Sequence, residues 1–376
     1  MFSLLKSARK KCFDKSYAKC ADVYFLVFIL ISFNFLFASV SCTKGETESI
    51  PKAGVVAGGD FLSKSIFYHA QMTGITNIIQ GELDSLPDLE IGILGQLKIH
   101  IVDPISGNIK SEVKFNWPSG VLRPVVIDSD GAEHFKIMSR GPVSDVGLMD
   151  NFGNPLWIYK PSGVIINTMD AGDLDRNGIL EFYVATHGGL HQLNNLGEKR
   201  WAIGGLVHDV EILNQNKDET PLVVSVTFDN HIQFRNYEGK LIREFIPRMK
   251  INDIEFVEWA GHMYILTIDS SSFYIMDCEG RIVIKHNLNR PTYAIRGTSV
   301  IFSNSQAPYL AIIAKFSSTS GQAMLCIFSA EKELIYKELI NTTRGLLAIQ
   351  SPSSKWDILL VGDGPGKVYK YEEKKR

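Results

Sequence analysis

The sequence predicts an all-β chain, a seven-bladed β-propeller of four-stranded blades, on three observations. Long amphipathic helical patterns are absent. Short runs rich in Val, Ile, Phe and Tyr recur instead, separated by clusters of Gly, Asn, Asp and Ser, and such runs read as strands. The runs return as units starting at Glu82, Ile127, Asp173, Asn214, Glu258, Asn304 and Ser351, spaced 45, 46, 41, 44, 46 and 47 residues apart. One unit cannot bury both faces of its sheet, so neighbours must stack around an axis to make a core. A β-sandwich of coincidental period is the competing architecture. It does not explain why one turn pattern keeps returning with matching strands on either side.

The N-terminal segment reads as an address rather than as part of the fold. Residues 1–22 carry Lys6, Arg9, Lys10, Lys11, Lys15 and Lys19 against Asp14 and Asp22, a net charge of +4. Residues 23–41 follow as an apolar run ending in small residues, so 1–41 has the layout of a signal peptide. The run ends Ala38-Ser39-Val40-Ser41-Cys42 and gives way to a polar tether at 42–52. This arrangement resembles a bacterial lipoprotein signal, which implies lipidation at Cys42; Ser39 stands where that signal usually has an aliphatic residue. Ordinary cleavage after small residues and an uncleaved single-span anchor are the alternatives. All three place the globular part, 53–376, outside the cytoplasm in the cell envelope. The whole chain has a formal charge of −2, so the exported part carries −6 and a general electrostatic nucleic-acid binder is excluded.

Taken in order, 53–71 contains GVVAG and SIFYHAQ but no unit of its own. Ile75–Ile79 is expected as the innermost strand of the first blade. The clearest unit spans 170–201: an acidic turn, a strand at Phe182–Thr186, a Gly turn, a strand at Leu190–Leu193, a second turn and a third strand ending on Trp201. Val207–Leu213 then leads into the next unit. The last unit stops soon after KVYKYE and would leave an open edge. One of the N-terminal strands is therefore expected to pair with Val368–Tyr371 and close the ring.

Chemistry shows at one place, the acidic turn Asp173-Leu174-Asp175-Arg176-Asn177-Gly178-Ile179-Leu180-Glu181. Oxygen-bearing side chains stand at positions 1, 3, 5 and 9 and Gly at 6, a pattern that lets alternate side chains converge on calcium. An EF-hand is excluded, because Val184 occupies position 12 and the following segment is strand-like. The turn resembles the calcium loop of FG-GAP/VCBS (integrin-α-like) propeller repeats. That resemblance implies one structural Ca2+ held by Asp173, Asp175, Asn177, the carbonyl of Ile179, and Glu181. The other reading is a turn whose Asp and Asn bond their own backbone. The turns at 82–90 and 128–134 keep fragments of the pattern.

Other candidates carry structure. Trp157 and Trp201 end turn-plus-aromatic stretches similar to quinoprotein propeller repeats, in which a Trp docks on the neighbouring blade; Phe245 and Ile284 fall nearby in other units. His187 and His191 flank a Gly turn and read as surface or packing residues. Cys278 and Cys326 sit in apolar segments and read as buried free thiols, with a disulfide as the alternative. No nucleophile elbow, phosphate loop or HExxH occurs.

The expected function is non-catalytic: a membrane-tethered propeller with a structural calcium loop that binds a protein or glycan partner. A scaffold subunit of an envelope assembly complex is one alternative. A propeller enzyme, either a polysaccharide lyase or glycosidase or a quinone-dependent dehydrogenase, is the other. Acids, His or Arg from several blades converging at the axis would favour the enzyme, and a broad apolar patch on one face the scaffold.

Overall fold

A computed structural model describes residues 55–374 apart from 58–59, 70–71, 73, 84–88, 96, 117–120, 126–135, 141–143, 214–219, 303–306, 317–320, 342–344, 351–354 and 365. The expectations for the leader, Cys42, the tether and the turn at 128–134 lie outside the described residues, as does the centre of the turn at 82–90. The chain divides into two units, Met1–Lys52 and Ala53–Arg376, and every described strand belongs to the second. Among the described residues there is no helix, and hence none long and apolar enough to cross a membrane.

Two strands come first, β1 (Val55–Ala57) and β2 (Leu62–His69). The first sheet is β3 (Asn77–Gly81), β4 (Glu90–Leu94), β5 (Lys98–Val102) and β6 (Ile109–Lys114). The second is β7 (Val121–Val125), β8 (Lys136–Arg140), β9 (Val146–Met149) and β10 (Pro155–Tyr159). The third is β11 (Ile166–Gly172), β12 (Glu181–Thr186), β13 (Gly189–Leu193) and β14 (Lys199–Ile203). The fourth is β15 (Val207–Leu213), β16 (Leu222–Thr227), β17 (Ile232–Arg235) and β18 (Leu241–Phe245). The fifth is β19 (Asp253–Trp259), β20 (His262–Ile268), β21 (Ser272–Asp277) and β22 (Ile282–Asn287). The sixth is β23 (Thr292–Val300), β24 (Tyr309–Phe316), β25 (Gln322–Phe328) and β26 (Leu334–Asn341), with β1 added beyond β26. The seventh is β27 (Leu346–Gln350), β28 (Asp357–Gly362) and β29 (Lys367–Glu373), completed by β2.

All pairings are antiparallel, and all but those made by β1 and β2 join strands adjacent in the chain. β2 lies against β29 with Lys64 opposite Tyr371 and Ile66 opposite Tyr369. The strand expected beside 368–371 is thus SIFYHAQ, while GVVAG pairs with β26, a fifth strand that the sequence did not announce. The first strand of the first sheet starts later than Ile75. Thr76 N already bonds Leu94 O, whereas Ile75 is fully buried against Gly345 and Gly362 beside β27 and β28.

Middle strands are apolar nearly throughout because both faces are covered; β12 and β13 are buried along their whole length. Fourth strands such as β14 and β18 leave alternate residues exposed. The apolar faces meet as seven clusters among the described residues, each joining two consecutive sheets. One of them joins Phe67, Val368 and Leu360 of the seventh sheet to Ile78, Ile91 and Ile93 of the first.

The turns between third and fourth strands share one plan in six sheets. Asp103, Asp150, Asn194, Asn236, Asp277 and Ser329 open them. The residues closing the tight turn, Gly107, Gly153, Gly197, Gly239, Gly280 and Lys332, all have left-handed φ between 70° and 83°. A bulge follows on the fourth strand each time, as between Trp201 and Lys199, which is the geometry of a hairpin closed by a left-handed residue. These turns carry the predicted docking: Trp157 Nε1 donates to Asn195 O at 3.1 Å and Trp201 Nε1 to Tyr237 O at 3.0 Å, each on the next sheet. Phe245 packs against Gly280 in the same way.

Cys326 is buried, and burial pushes its thiol up to about 12; Cys278 is only half-buried, a correction to the expectation of two buried thiols. His187 stacks edge-on to Phe228, and His191 is buried with Nδ1 2.9 Å from Tyr159 Oη, both packing roles.

Candidate functional site

The acidic turn joins β11 to β12, and the pairing of Gly172 with Glu181 brackets it. A sharp reversal is needed, and Arg176 (φ 59°) and Gly178 (φ 82°) supply left-handed backbone. Asp173 accepts from Asn177 N at 3.0 Å and Gly178 N at 2.8 Å, and Asp175 accepts from Asn177 Nδ2 at 2.9 Å. Asn177 Oδ1 accepts from Ile179 N at 2.7 Å. From the far side, Glu181 Oε2 accepts from Leu174 N at 3.1 Å.

Ligand oxygens of Asp173, Asp175 and Glu181 lie within 4.8 Å of one another, so the turn brings together the three acids that the sequence singled out. Asn177 and Ile179 lie in the same exposed turn. Burial, and then the charges of Asp175 and Asp173, push the Glu181 carboxyl above its usual range, opposed by the Leu174 N–H and by Arg200. The donors are all oxygen and three are carboxylates, a set that suits a hard divalent cation. The residues therefore fit calcium.

The first sheet carries the same carboxylate with a lysine against it. Glu90 occupies the place of Glu181 and accepts from Leu83 N at 3.0 Å, the counterpart of the Leu174 bond. Its other oxygen takes Lys110 Nζ at 2.8 Å. Lys110 stands in the fourth-strand bulge, between Ile109 and Ser111, as Arg200 stands between Lys199 and Trp201 in the third sheet. These two cations were not singled out from sequence, although each follows its turn at nearly the same distance.

Acids also gather on first strands, where Asp170, Asp209 and Asp253 face the next sheet. They accept from Ile212 N at 2.7 Å, Ile254 N at 3.3 Å and Ile295 N at 2.8 Å. Arg296 Nη1 bonds Glu255 at 2.8 Å and lies 3.6 Å from Asp253. These carboxylates tie one first strand to the next.

Both ends of the sheets expose apolar side chains, and at one of them these recur in consecutive turns. Third-to-fourth-strand turns of three successive sheets present Ile105, Phe152 and Leu196, each two residues after the opening residue and 69%, 68% and 65% exposed. Glu238 holds that position in the fourth sheet, while Tyr237 stands one residue earlier, in the place of Asn195. Ile179 of the acidic turn is exposed at the same end. The corresponding positions of the fifth and sixth sheets are Glu279 and Glu331.

No family model matches the chain, and no curated protein matches it. Among solved structures it is similar to BBS1N in complex with ARL6DN. The lead-soaked crystal gives a TM-score of 0.58 and 12% identity over 84% of this chain and 98% of that chain. The mercury-soaked crystal gives 0.57 and 13% over 84% and 97%. BamB from Moraxella catarrhalis overlaps 84% of this chain and 98% of its own at 12% identity, with a TM-score of 0.48. The likeness to BBS1N shows the fold, and this chain is a β-propeller protein.

Proposed function

We propose that the chain is a non-catalytic, membrane-tethered, extracytoplasmic β-propeller that binds a protein partner through the end of its sheets that carries Ile105, Phe152 and Leu196. In this reading the seven sheets are blades of a closed ring and Cys42 carries the lipid. The pairing of β2 with β29, and the cluster joining the seventh sheet to the first, support closure. The observation that carries partner binding is the arc of Ile105, Phe152 and Leu196, exposed apolar side chains in the turns of three consecutive sheets. Such repetition on one end of a protein marks a docking surface, and loops on a rigid scaffold are where binding concentrates. BBS1N, of the same fold, was crystallised in complex with ARL6DN. The use of Asp170, Asp209 and Asp253 as backbone ties supports a non-catalytic axis over an enzyme.

A photo-crosslinking residue at Leu196 of the full-length, membrane-bound chain tests this. A discrete protein adduct that disappears with Phe152→Glu is expected. No adduct, or one indifferent to Phe152→Glu, overturns the docking surface.

The turn at 173–181 belongs to this reading as a structural calcium site of FG-GAP/VCBS-like character. Calcium at a hundred times its dissociation constant would stabilise the fold by about 2.7 kcal/mol. The thermal midpoint should rise with calcium, fall with chelator, and respond to neither in Asp175→Ala. An unchanged wild-type midpoint in chelator would leave only a hydrogen-bonded turn.

A further inference from the structure

The residue just before each of the six shared turns is a core position. It is Val102, Met149, Leu193, Met276 and Phe328 in five sheets, none more than 2% exposed. In the fourth sheet it is Arg235, 9% exposed. Arg235 Nη1 donates to Gly239 O at 3.1 Å and Nη2 to Gln233 Oε1 at 2.9 Å, both neutral acceptors. Its Nε is buried with no partner, and so is the hydroxyl of Ser225, which is 1% exposed. The pairing of Ser225 with Gln233 and of Val223 with Arg235 puts Ser225 and Arg235 on one face of the fourth sheet.

That face borders a cleft of about 530 Å³ between the third and fourth sheets. Elsewhere a Tyr–His pair fills the equivalent seam: Tyr68 with His100, at 2.5 Å, and Tyr159 with His191, at 2.9 Å. Here Ile203 stands in the place of Tyr159 and Gln233 in the place of His191, so the seam stays open. Leu190, Ile203, Leu206 and Phe228 give it an apolar wall, and a Cβ at Gly204 or Gly205 would meet nothing within 4 Å. Two acids also line it. Glu244 accepts from Gln233 Nε2 at 3.0 Å and lies 3.4 Å from His231 Nδ1, while Asp229 lies 3.7 Å from His231 Nε2.

We propose that this cleft binds a carboxylate carried on an apolar carbon body, with Arg235 Nε and Ser225 Oγ as the waiting donors. A buried cation bonded only to neutral oxygens, where five sister hairpins use an apolar side chain, is costly unless an anion completes it. Departures from a repeat's local rules concentrate at functional positions. The inference uses none of the docking-arc residues: Gly204, Gly205, Leu206 and Phe228 line the cleft at the other end of the strands, and Arg235 reaches it from beside its own turn.

The test follows the Arg Nε–H resonances of the full-length chain, in mild detergent, during titration with hexanoate and with the capped peptide acetyl-Leu-Glu-amide. The Arg235 resonance should move saturably. Tighter binding of hexanoate assigns a free organic acid, and tighter binding of the peptide assigns an acidic side chain of a protein. Loss of one charge-assisted hydrogen bond predicts about ten- to hundredfold weaker binding in Arg235→Leu and in Arg235→Lys. The thermal midpoint of Arg235→Leu should not fall, since leucine is the residue of the third hairpin. No saturable shift with either probe, wild-type affinity in either variant, or an equal response to maltose would overturn the proposal.

Discussion

Trp157 of the second sheet occupies the space that a side chain at Gly197 of the third would need: a Cβ there would lie 2.6 Å from Trp157 Cδ2. The same relation links Trp201 to Gly239 and Phe245 to Gly280, at 3.2 and 2.7 Å. Gly197 also sits at φ 77°, so alanine there meets backbone strain and a fixed ring together. Gly197→Ala should cost about 2–4 kcal/mol in urea denaturation. In a Trp157→Ala background the same change should cost only about 1 kcal/mol, because the backbone penalty alone remains.

Lys110 is the internal counter-ion of Glu90, whose carboxylate is fully buried. Lys110→Met should therefore destabilise by about 3–5 kcal/mol, since it strands a buried charge. A loss below about 1 kcal/mol would mean that Glu90 is content without its partner.

Arg200 fills the matching place beside Glu181, where a metal is proposed to share the work. Arg200→Met should cost more in chelator than in calcium, measured as the shift in thermal midpoint. Equal shifts would separate Arg200 from the calcium loop.

Burial holds four imidazoles, His100, His191, His208 and His286, below the usual histidine range, and nearby lysines add to it at each. The unfolded chain takes up protons near 6.5 that the folded chain refuses, so stability rises with pH through that region and falls as acid is added. The urea midpoint should be lower at about pH 5.5 than at about pH 7.5. His191→Gln should narrow the gap; a gap that widens or stays fixed would remove His191 from the account.

Glu338 joins the two sheets at the chain ends. Its buried carboxylate takes Lys64 Nζ at 2.8 Å, Tyr336 Oη at 2.8 Å and Tyr371 Oη at 2.9 Å. Replacing it by alanine orphans three donors and should cost about 3 kcal/mol or more. Lys64→Ala, at a partly exposed position, should cost about 1 kcal/mol, and both changes are read from chemical denaturation.

Phe182–Thr186 was legible because a strand buried on both faces draws apolar side chains, here Phe182, Tyr183, Val184 and Ala185. Val207–Leu213 was legible from Val207, Val210, Ile212 and Leu213, although His208, Asp209 and Glu211 interrupt them. The carboxylate cluster was legible because its three acids are spaced within one turn. Lys110 and Arg200 were not, because a bulge set them beside acids 20 and 19 residues earlier. Nor did Arg235 declare itself: QFR reads as another strand end until the six turns are superposed and its neighbours there prove apolar.

By itself the sequence determined the β character, the repeat and the acidic turn, since these rest on short-range periodicity and local turn chemistry. Only the tertiary structure decided which N-terminal strand lies beside β29, which glycine each indole covers, and where a seam between sheets stays open. Those outcomes depend on side chains from different repeats competing for one space, a contest that no single stretch of chain encodes.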